Sequence, residues 1–599
     1  MHAVSDLHPD DTRPAAETAH CDVLVAGSGA AGLMAALTAA HAGLSVIVAE
    51  KAARIGGTSA RSGGWLWVPG NPQSRRAGHG GTSEEWHAYL RDVLGTLYHA
   101  PGVSDRLERY LSQAPAMLDF LEQETGVCFE PGSQSPDFHG ESPWAATGWR
   151  SVVASPFDGR QLGPFRHQIA DPIPEMTLLG LDLSPGRDLN AFLAATRSLP
   201  ALLHSTRRLL RFGRDIVLHG RSTQYRNGHA LVAALAAECR KRGVRFMCSS
   251  PLRAFVRDGP RIAGGMLQPA SGTVAITARH AVILATGGFP HDPQRQGALF
   301  AHVRAGTAHC SAAAPTCTGD GLTLGETVGG IVDTALAEPA AWAPVSRVPG
   351  RDGHMRPFPH LLERAKPGVI AVTRNGRRFV NEALPYHDVM RALFAVTHPG
   401  APCEAWLVCD HPFIARYGLG AVKPFPFPRG GWLRNGYLKR GRTLDALACA
   451  CGIDAKGLVE TVEHYNDDAA HGRDTLFHRG STPYQRAQGD AMHRPNPCVA
   501  PIRRAPFYAV RIVPGSLGTF AGLKTGPSAE VLDTDGRPVP GLYAVGNDMA
   551  GIMRGAYPSG GITLGPAMTF GWLAARRIAS LADHADPSST TRETRHEAL

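Results

Sequence analysis

Apolar and polar positions change their period along the chain, and the changes mark elements. Residues 23 to 26 form a short apolar run, "VLVA", that meets a glycine-rich turn. An alanine-rich segment follows to about Ala42, and a second apolar run, Ser45 to Ala49, stops at Glu50. That pattern predicts strand, helix, strand. "GHALVAALAAECRKRGVRF" (228–246) has the spacing of an amphipathic helix leading into a strand. "FVRDGPRIAGGMLQPASGTVAITARHAVILATGG" alternates as a β-meander and ends in a return strand. "PGLYAVGND" (540–548) reads as the last strand, and an apolar run of helical spacing follows "YPSGG". Strands with intervening helices predict an α/β fold. The first strand lies near residue 22 and the last near 543, so this domain is discontinuous. "RSLPALLHSTRRLLRFGRDIVL" has helical periodicity and basic ends, which fits a packed surface helix or one facing a membrane or partner. The polar tails, 1–19 and 583–599, are expected to be disordered.

The first turn carries chemistry. Gly27-Ser28-Gly29-Ala30-Ala31-Gly32 is GxGxxG between strand and helix, with an acid, Glu50, at the end of the next strand. Gly27 makes the tight turn, Gly29 lets the backbone approach a pyrophosphate, and Gly32 lets helix pack on strand. The amides at Ala30 and Ala31 then face phosphates, and Glu50, with Lys51 beside it, faces ribose hydroxyls. The fingerprint in this context predicts a bound dinucleotide.

The next stretch, "RIGGTSARSGGWLWVPGNP" (54–72), resembles the flavin-binding loop of the fumarate reductase and succinate dehydrogenase flavoprotein superfamily. The resemblance implies FAD, with Gly56, Gly57, Thr58 and Ser59 along the flavin and phosphates. Ser62, Gly63 and Gly64 would lie by the ring. Where some relatives tether flavin through histidine there is none, so non-covalent FAD is expected. "HAVILATGGF" resembles the return to the cofactor, through Thr286, Gly287 and Gly288, and "PGLYAVGND" the last strand, through Gly546 and Asn547. Asp320, Thr563 and Leu564 complete the implied cofactor set. One convincing GxGxxG argues against a bound NAD(P)H domain, so electrons are expected to leave to an external acceptor, quinone-like or a dye. The expected fold is a Rossmann-like discontinuous FAD-binding domain, residues 20–337 and 506–582, with an inserted α+β catalytic cap, 338–505.

Composition narrows the classes. The formal charge is +9, but the Lys and Arg are scattered and no aromatic-interleaved basic stripe occurs, which excludes a nucleic-acid binder. The eleven cysteines include no CxxC, so neither a disulfide framework nor a zinc or haem motif is expected, and no metal. With no secretory signal and no long apolar run, a reducing, cytoplasmic setting without a membrane span is the expectation.

Catalytic candidates lie in two stretches. "VTRNGRRFVNEALPYHDVMRALF" (372–394) is expected to run strand, turn, strand and to deliver Asn381-Glu382, then Tyr386. Fumarate reductases carry an arginine at this turn; the matching position here is Tyr386, or His387 with a one-residue slip. Their second arginine matches Pro558, and their dicarboxylate-binding histidine should fall in "VPGSLGT" (513–519), which has none. A dicarboxylate would lack its clamps. Over nearly the whole chain, "RFVNEALPY" and "YPSGG…LGPAMTFG" make the sequence similar to the 3-ketosteroid dehydrogenase family. That resemblance implies Tyr557 hydroxyl and Gly561 amide on a ketone oxygen, with Tyr386 at the proton. In the Δ1 branch a second tyrosine assists, and its segment here, "SPDFHGE" (135–141), holds Phe138. The Δ4-(5α) branch is similar in its Tyr-x-Ser, matched by Tyr557 and Ser559, with the serine as proton acceptor. The Δ4-(5α) type is therefore the expectation over Δ1. His139, or His387 with Asp388, are alternative helpers, and a fumarate reductase-like ene-reductase of an unsaturated acid is the rival function.

Overall fold

The computed structural model describes residues 17–585 apart from Pro101, Pro185 and Arg351. Strand β1 (Glu17–Ala26) runs into helix α1 (Ala30–His41) and strand β2 (Val46–Ala49). Ten residues of α1 are buried, most of them alanine, glycine or leucine, because the helix is covered on more than one side. Further on come helices α2 (Leu199–His219) and α3 (Asn227–Lys241) and strand β3 (Arg245–Met247). The meander follows as β4 (Leu252–Asp258), β5 (Arg261–Leu267) and β6 (Val274–Leu284).

The chain then builds a second sheet. Its strands are β7 (Ala340–Pro349), β8 (Met355–Pro359), β9 (Val369–Val372), β10 (Ala405–Cys409) and β11 (Phe507–Thr519), with helix α4 (Tyr386–Val396) between β9 and β10. It returns through β12 (Glu530–Leu532), β13 (Pro538–Ala544) and the long α5 (Leu564–Ala585). The first sheet has the order β12-β13-β6-β1-β2-β3, with β5 on β6 and β4 on β5. From β13 to β3 it is parallel: Ala26 faces Leu284 and Ala49, and Leu284 faces Ala544. Its strands are near-continuous apolar runs, as a parallel sheet covered on both faces requires, and the sheet bears out the expected α/β fold. α5 crosses α1 where Gly571 meets Ala31; a Cβ there would lie 2.5 Å from the Ala31 carbonyl.

The second sheet runs β8-β7-β11-β10-β9, and the short strands Cys310–Ser311 and Lys439–Gly441 also pair with β11. Its long central strand thus follows residue 505 in the chain. The strand expected after Asn375-Gly376 is reduced to a single bridge, Val372 to Arg378, because Arg378 is drawn into a buried ion cluster. Of the two tails, residues 17–19 pair in β1 and 583–585 belong to α5, while 1–16 and 586–599 lie outside the described residues. Among the described residues all eleven cysteines are free, no cluster of metal-ligating side chains occurs, and no helix is long and apolar enough to cross a membrane.

Candidate active site

The parallel strands of the first sheet end at one cavity of about 1600 Å³. At the end of β1 the chain turns on Gly27, with φ +109°, and a Cβ would sit 2.1 Å from the Ala285 carbonyl. No side chain fits there. Gly32 is closed in the same way, 2.1 Å from the Gly27 carbonyl, and packs α1 on the turn without lining the cavity. Gly29 is open: a Cβ would meet only the Ser59 hydroxyl, at 3.4 Å. The Ala30 N–H at the start of α1 donates to that hydroxyl, at 2.9 Å. Backbone, helix N-terminus and a serine therefore form a cradle for a pyrophosphate. Glu50, buried at the end of β2, accepts from the Ser28 N–H at 3.0 Å and the Ala52 N–H at 2.7 Å. Lys51 pairs with Asp320 at 2.8 Å, and both line the cavity.

Gly57, Thr58, Ser59, Ser62, Gly63 and Gly64 line the same space, as do Ala30, Ala31, Thr286, Gly287, Gly546, Asn547, Thr563 and Leu564. Gly288 does not; its N–H donates to Asp548 at 2.8 Å. Asp548 also takes the Thr286 N–H and hydroxyl, so it clasps the end of β6 to the end of β13. Burial pushes its carboxyl up. The signal in the sequence for this aspartate is its place at the close of "PGLYAVGND". The open Gly29 cradle, the helix terminus and the acid beyond β2 fit FAD. The volume exceeds the ~300–1,000 Å³ of an ordinary ligand pocket, leaving room for a second molecule.

That second space is an aromatic corner. The Tyr386 hydroxyl, at the start of α4, donates to the Tyr557 hydroxyl at 2.7 Å, and both residues line the cavity. Phe138 stacks on Tyr557 (5.5 Å between centroids, 10° between planes) and meets Tyr386 edge-on at 5.7 Å. Tyr484, a lining residue without a sequence signal, packs on Phe138 at 4.7 Å. Gly561 lines the cavity with φ +102°, and a Cβ would press on the Trp67 backbone nitrogen at 2.6 Å. Its carbonyl is taken by the Trp67 N–H at 3.2 Å and the Gly565 N–H at 2.9 Å. Burial pushes the Tyr557 phenol up to about 12, eased by the Tyr386 and Thr563 hydroxyls. Burial, and then the neighbouring Tyr557, hold the Tyr386 phenol well above its ordinary value.

Two buried ion clusters hold this corner. Glu382, fully buried, receives Arg378 (2.7 and 2.8 Å), Arg479 (3.1 Å) and the Ala371 N–H (2.9 Å). Arg378 also reaches Asp474, and Arg364 donates to the Glu382 and Leu384 carbonyls. This fixes the turn that presents Tyr386. Asp137 accepts from the Trp67 indole (2.8 Å), Arg150 (2.8 Å) and the Ala146 N–H (3.0 Å), and the Phe138 N–H donates to the Pro558 carbonyl at 3.0 Å. The segment carrying Phe138 is thus tied to the one carrying Tyr557.

Other candidates are not brought in. Ser559 is buried outside the cavity lining; its hydroxyl lies toward Asp137 and has no partner in hydrogen-bonding geometry. The tightly packed loop turns it away from the cavity, which removes the geometric basis for using it as proton acceptor. His387 is buried behind Tyr557, its Nδ1 takes the Trp342 N–H at 3.2 Å, and burial drives it down to about 3. His139 pairs with Glu141 at 3.3 Å, and neither it nor Asp388 lines the cavity. Two arginines line it, but Arg61 donates to the Ala313 carbonyl at 3.5 Å and Arg226 to the Ser184 hydroxyl at 3.5 Å.

Residues 22–564 match the family described as FAD binding domain. The chain is 39% identical over 568 residues to the 4-oxocyclohex-2-ene-1-carboxylate 5-dehydrogenase of Sinomonas cyclohexanicum, covering 94% of this chain and 95% of that one. It is 35% identical to a 3-oxosteroid 1-dehydrogenase of Mycolicibacterium smegmatis, covering 94% and 97%. The crystal structure of 3-ketosteroid Δ1-dehydrogenase from Sterolibacterium denitrificans, in complex with 1,4-androstadiene-3,17-dione, superimposes with a TM-score of 0.85 at 33% identity, covering 94% and 100%. The chain belongs to this family: it is an FAD-dependent dehydrogenase of the 3-oxosteroid and oxocyclohexane type.

Proposed function

We propose that the enzyme removes hydrogen from the carbon–carbon bond next to an uncharged ring ketone, with Tyr386, Tyr557 and Gly561 as the reacting groups. The observation that carries this is the Tyr386–Tyr557 hydroxyl pair, at 2.7 Å, facing the cavity beside Gly561. A ketone acidifies its α C–H bonds. The Tyr557 hydroxyl and the Gly561 N–H donate to the carbonyl oxygen and stabilise the negative charge that develops there. Tyr386 takes the α proton. Its phenol, raised by burial and by Tyr557, must first lose its own proton to act; as the acceptor from Tyr386, the Tyr557 hydroxyl keeps its proton for the ketone. FAD supplies the hydride acceptor. Phe138 and Tyr484 wall off water and orient a flat ring. With FAD bound, an external acceptor of quinone or dye type would serve as the final electron sink.

The regiochemistry follows from Ser559. The Δ4-(5α) expectation needed that hydroxyl at the substrate, and it sits outside the cavity, so we favour a Δ1-type bond, or the equivalent bond of a simpler oxocyclohexane. Phe138, in place of a second assisting tyrosine, leaves Tyr386 with Tyr557 alone. A second reading keeps the reaction and adds a carboxylate to the ring. It is favoured by Lys423 and Lys366, which line the same cavity; burial lowers both ammonium groups, Lys423 to about 8. The experiment is anaerobic: the holoenzyme is mixed with 3-ketosteroids, 4-oxocyclohexanecarboxylate and fumarate, and loss of the flavin absorbance is followed, with product analysis. Bleaching by ring ketones is expected. Failure of every ring ketone to bleach the flavin would reject the reading.

A further inference from the structure

Helix α2 is a partition that buries charged positions, Arg208 and Asp215. On one side Leu202, Ser205 and Leu209 line the large cavity. On the other, Arg207, Arg211 and Arg214 line a surface recess of about 590 Å³, together with Arg160 and Asp158. Asp158, Arg207 and Arg211 also border an inner recess of about 400 Å³, so the two hollows are joined. The inner floor is a pair of two-residue strands, Phe157–Asp158 against Gln224–Tyr225, and α2 adds Arg208 to it. Gln224, Tyr225 and Arg208 are 7%, 1% and 7% exposed. His204 and Arg226 border both this recess and the large cavity.

The floor offers donors that go unanswered. The Gln224 side-chain N–H, the Tyr225 hydroxyl and the Arg208 Nε are buried without a hydrogen-bond partner among the described residues. A buried donor left unpaired is costly, and three of them around one hollow call for an acceptor from outside the chain. Charge points the same way. Asp188 alone serves Arg208 at 3.0 Å, Arg226 at 3.7 Å and His204 at 2.7 Å. Burial, and then Arg226, hold the Arg208 guanidinium below its ordinary value. Asp158 is shared by Arg160 at 2.5 Å and Arg211 at 3.4 Å, and Asp215 lies buried 3.7 Å from Arg214. Arg207 has no ion pair among the described residues. Guanidinium groups thus outnumber carboxylates in both hollows. The guanidinium fork matches the oxygens of a phosphate. Two joined hollows suit two such groups, since one small anion would fill one and leave the charges of the other unanswered.

We propose that the joined recesses bind a soluble ligand with two linked phosphate groups, the inner phosphate on Arg208, Gln224 and Tyr225 and the outer one between Arg207, Arg211 and Arg214. The site is separate from the Gly29 cradle and does not depend on the ring-ketone reading. Seated there, the ligand braces α2, one wall of the large cavity, from behind. The test is isothermal titration calorimetry of the FAD-loaded enzyme with inorganic pyrophosphate, and in parallel with inorganic phosphate and with soluble dihexanoyl phosphatidylglycerol. One pyrophosphate per chain is expected, bound more tightly than the other two, weakened by added salt and leaving the flavin absorbance unchanged. Tyr225→Phe removes a hydroxyl that has no partner, so the melting temperature without ligand should hold, while pyrophosphate binds about tenfold to a hundredfold more weakly. Arg207→Gln with Arg214→Gln should weaken it at least as much. Four results would overturn the site: no heat with millimolar pyrophosphate, wild-type affinity in both variants, flavin released as pyrophosphate binds, or tighter binding of the phosphatidylglycerol, which would make the natural phosphate a lipid headgroup.

Discussion

Replacing Tyr557 by Phe removes one oxygen from the aromatic corner and leaves the ring stacked on Phe138. The lost hydroxyl is both the acceptor for Tyr386, at 2.7 Å, and the proposed donor to the ketone. Loss of one preorganised donor to a developing oxyanion costs about 2.7–4 kcal/mol, a hundred- to a thousandfold in kcat. Stability should change by only about 1 kcal/mol, because the freed Tyr386 hydroxyl lines the cavity and can reach water. The FAD cradle is formed by other residues, so the protein should stay yellow. The assay is reductive half-reaction kinetics with a ring ketone, run on Tyr557→Phe, Tyr386→Phe and the double variant. Loss of a general base alone costs about 10²–10⁴-fold. Independent losses would multiply to at least ~10⁴. Two hydroxyls acting as one unit give a double variant scarcely slower than the slower single. A Tyr557→Phe enzyme within a few-fold of wild type, or losses that multiply cleanly, would refute the shared role.

Ser559→Ala should keep near-wild-type turnover, measured in the same assay; a drop of a hundredfold would return the serine to the chemistry. With Tyr386 as base, kcat/KM should climb about tenfold per pH unit through the neutral and mildly alkaline range without a plateau below about 10. Stability should move the other way. The buried tyrosines contribute stability that is present below the ordinary value near 10 and lost as pH rises through about 12, which denaturant melts at stepped pH will read. Glu382→Gln strips one partner from a buried cluster and should cost about 3–5 kcal/mol, seen in a urea melt, with activity lost as the Tyr386 turn loosens. Gly29→Val fills the open cradle and should yield folded, colourless protein by circular dichroism and absorbance.

The nucleotide half was legible because its chemistry is local. Gly27, Gly29 and Glu50 lie within one strand–helix–strand unit, and backbone sterics dictate their spacing. That Tyr386 and Tyr557 meet at the cavity was legible only through resemblance to known dehydrogenases, since nothing local in the sequence sets these tyrosines apart; their reactive role is the proposal made above. Ser559 lies away from its expected place for a physical reason. Its neighbour Tyr557 faces the cavity, but the tight Pro558–Gly561 loop turns the serine to the other side, toward Asp137, a residue over 400 positions away in sequence. Glu382 and Asp548 carry no local mark of their structural role, because a buried acid looks like any other until its partners are known. The α2 helix shows the limit most plainly: its periodicity gave the helix correctly, but period alone does not say which face is inside.

The clasp made by Asp548 has a consequence for how the holoenzyme comes into being. Strand β6 is flanked by β1 from the first residues described and β13 from near the end, and Asp548 locks the β6 turn only when the last strand has arrived. The cofactor cradle is therefore assembled from segments at opposite ends of the described chain, and it closes only once β13 has joined β6.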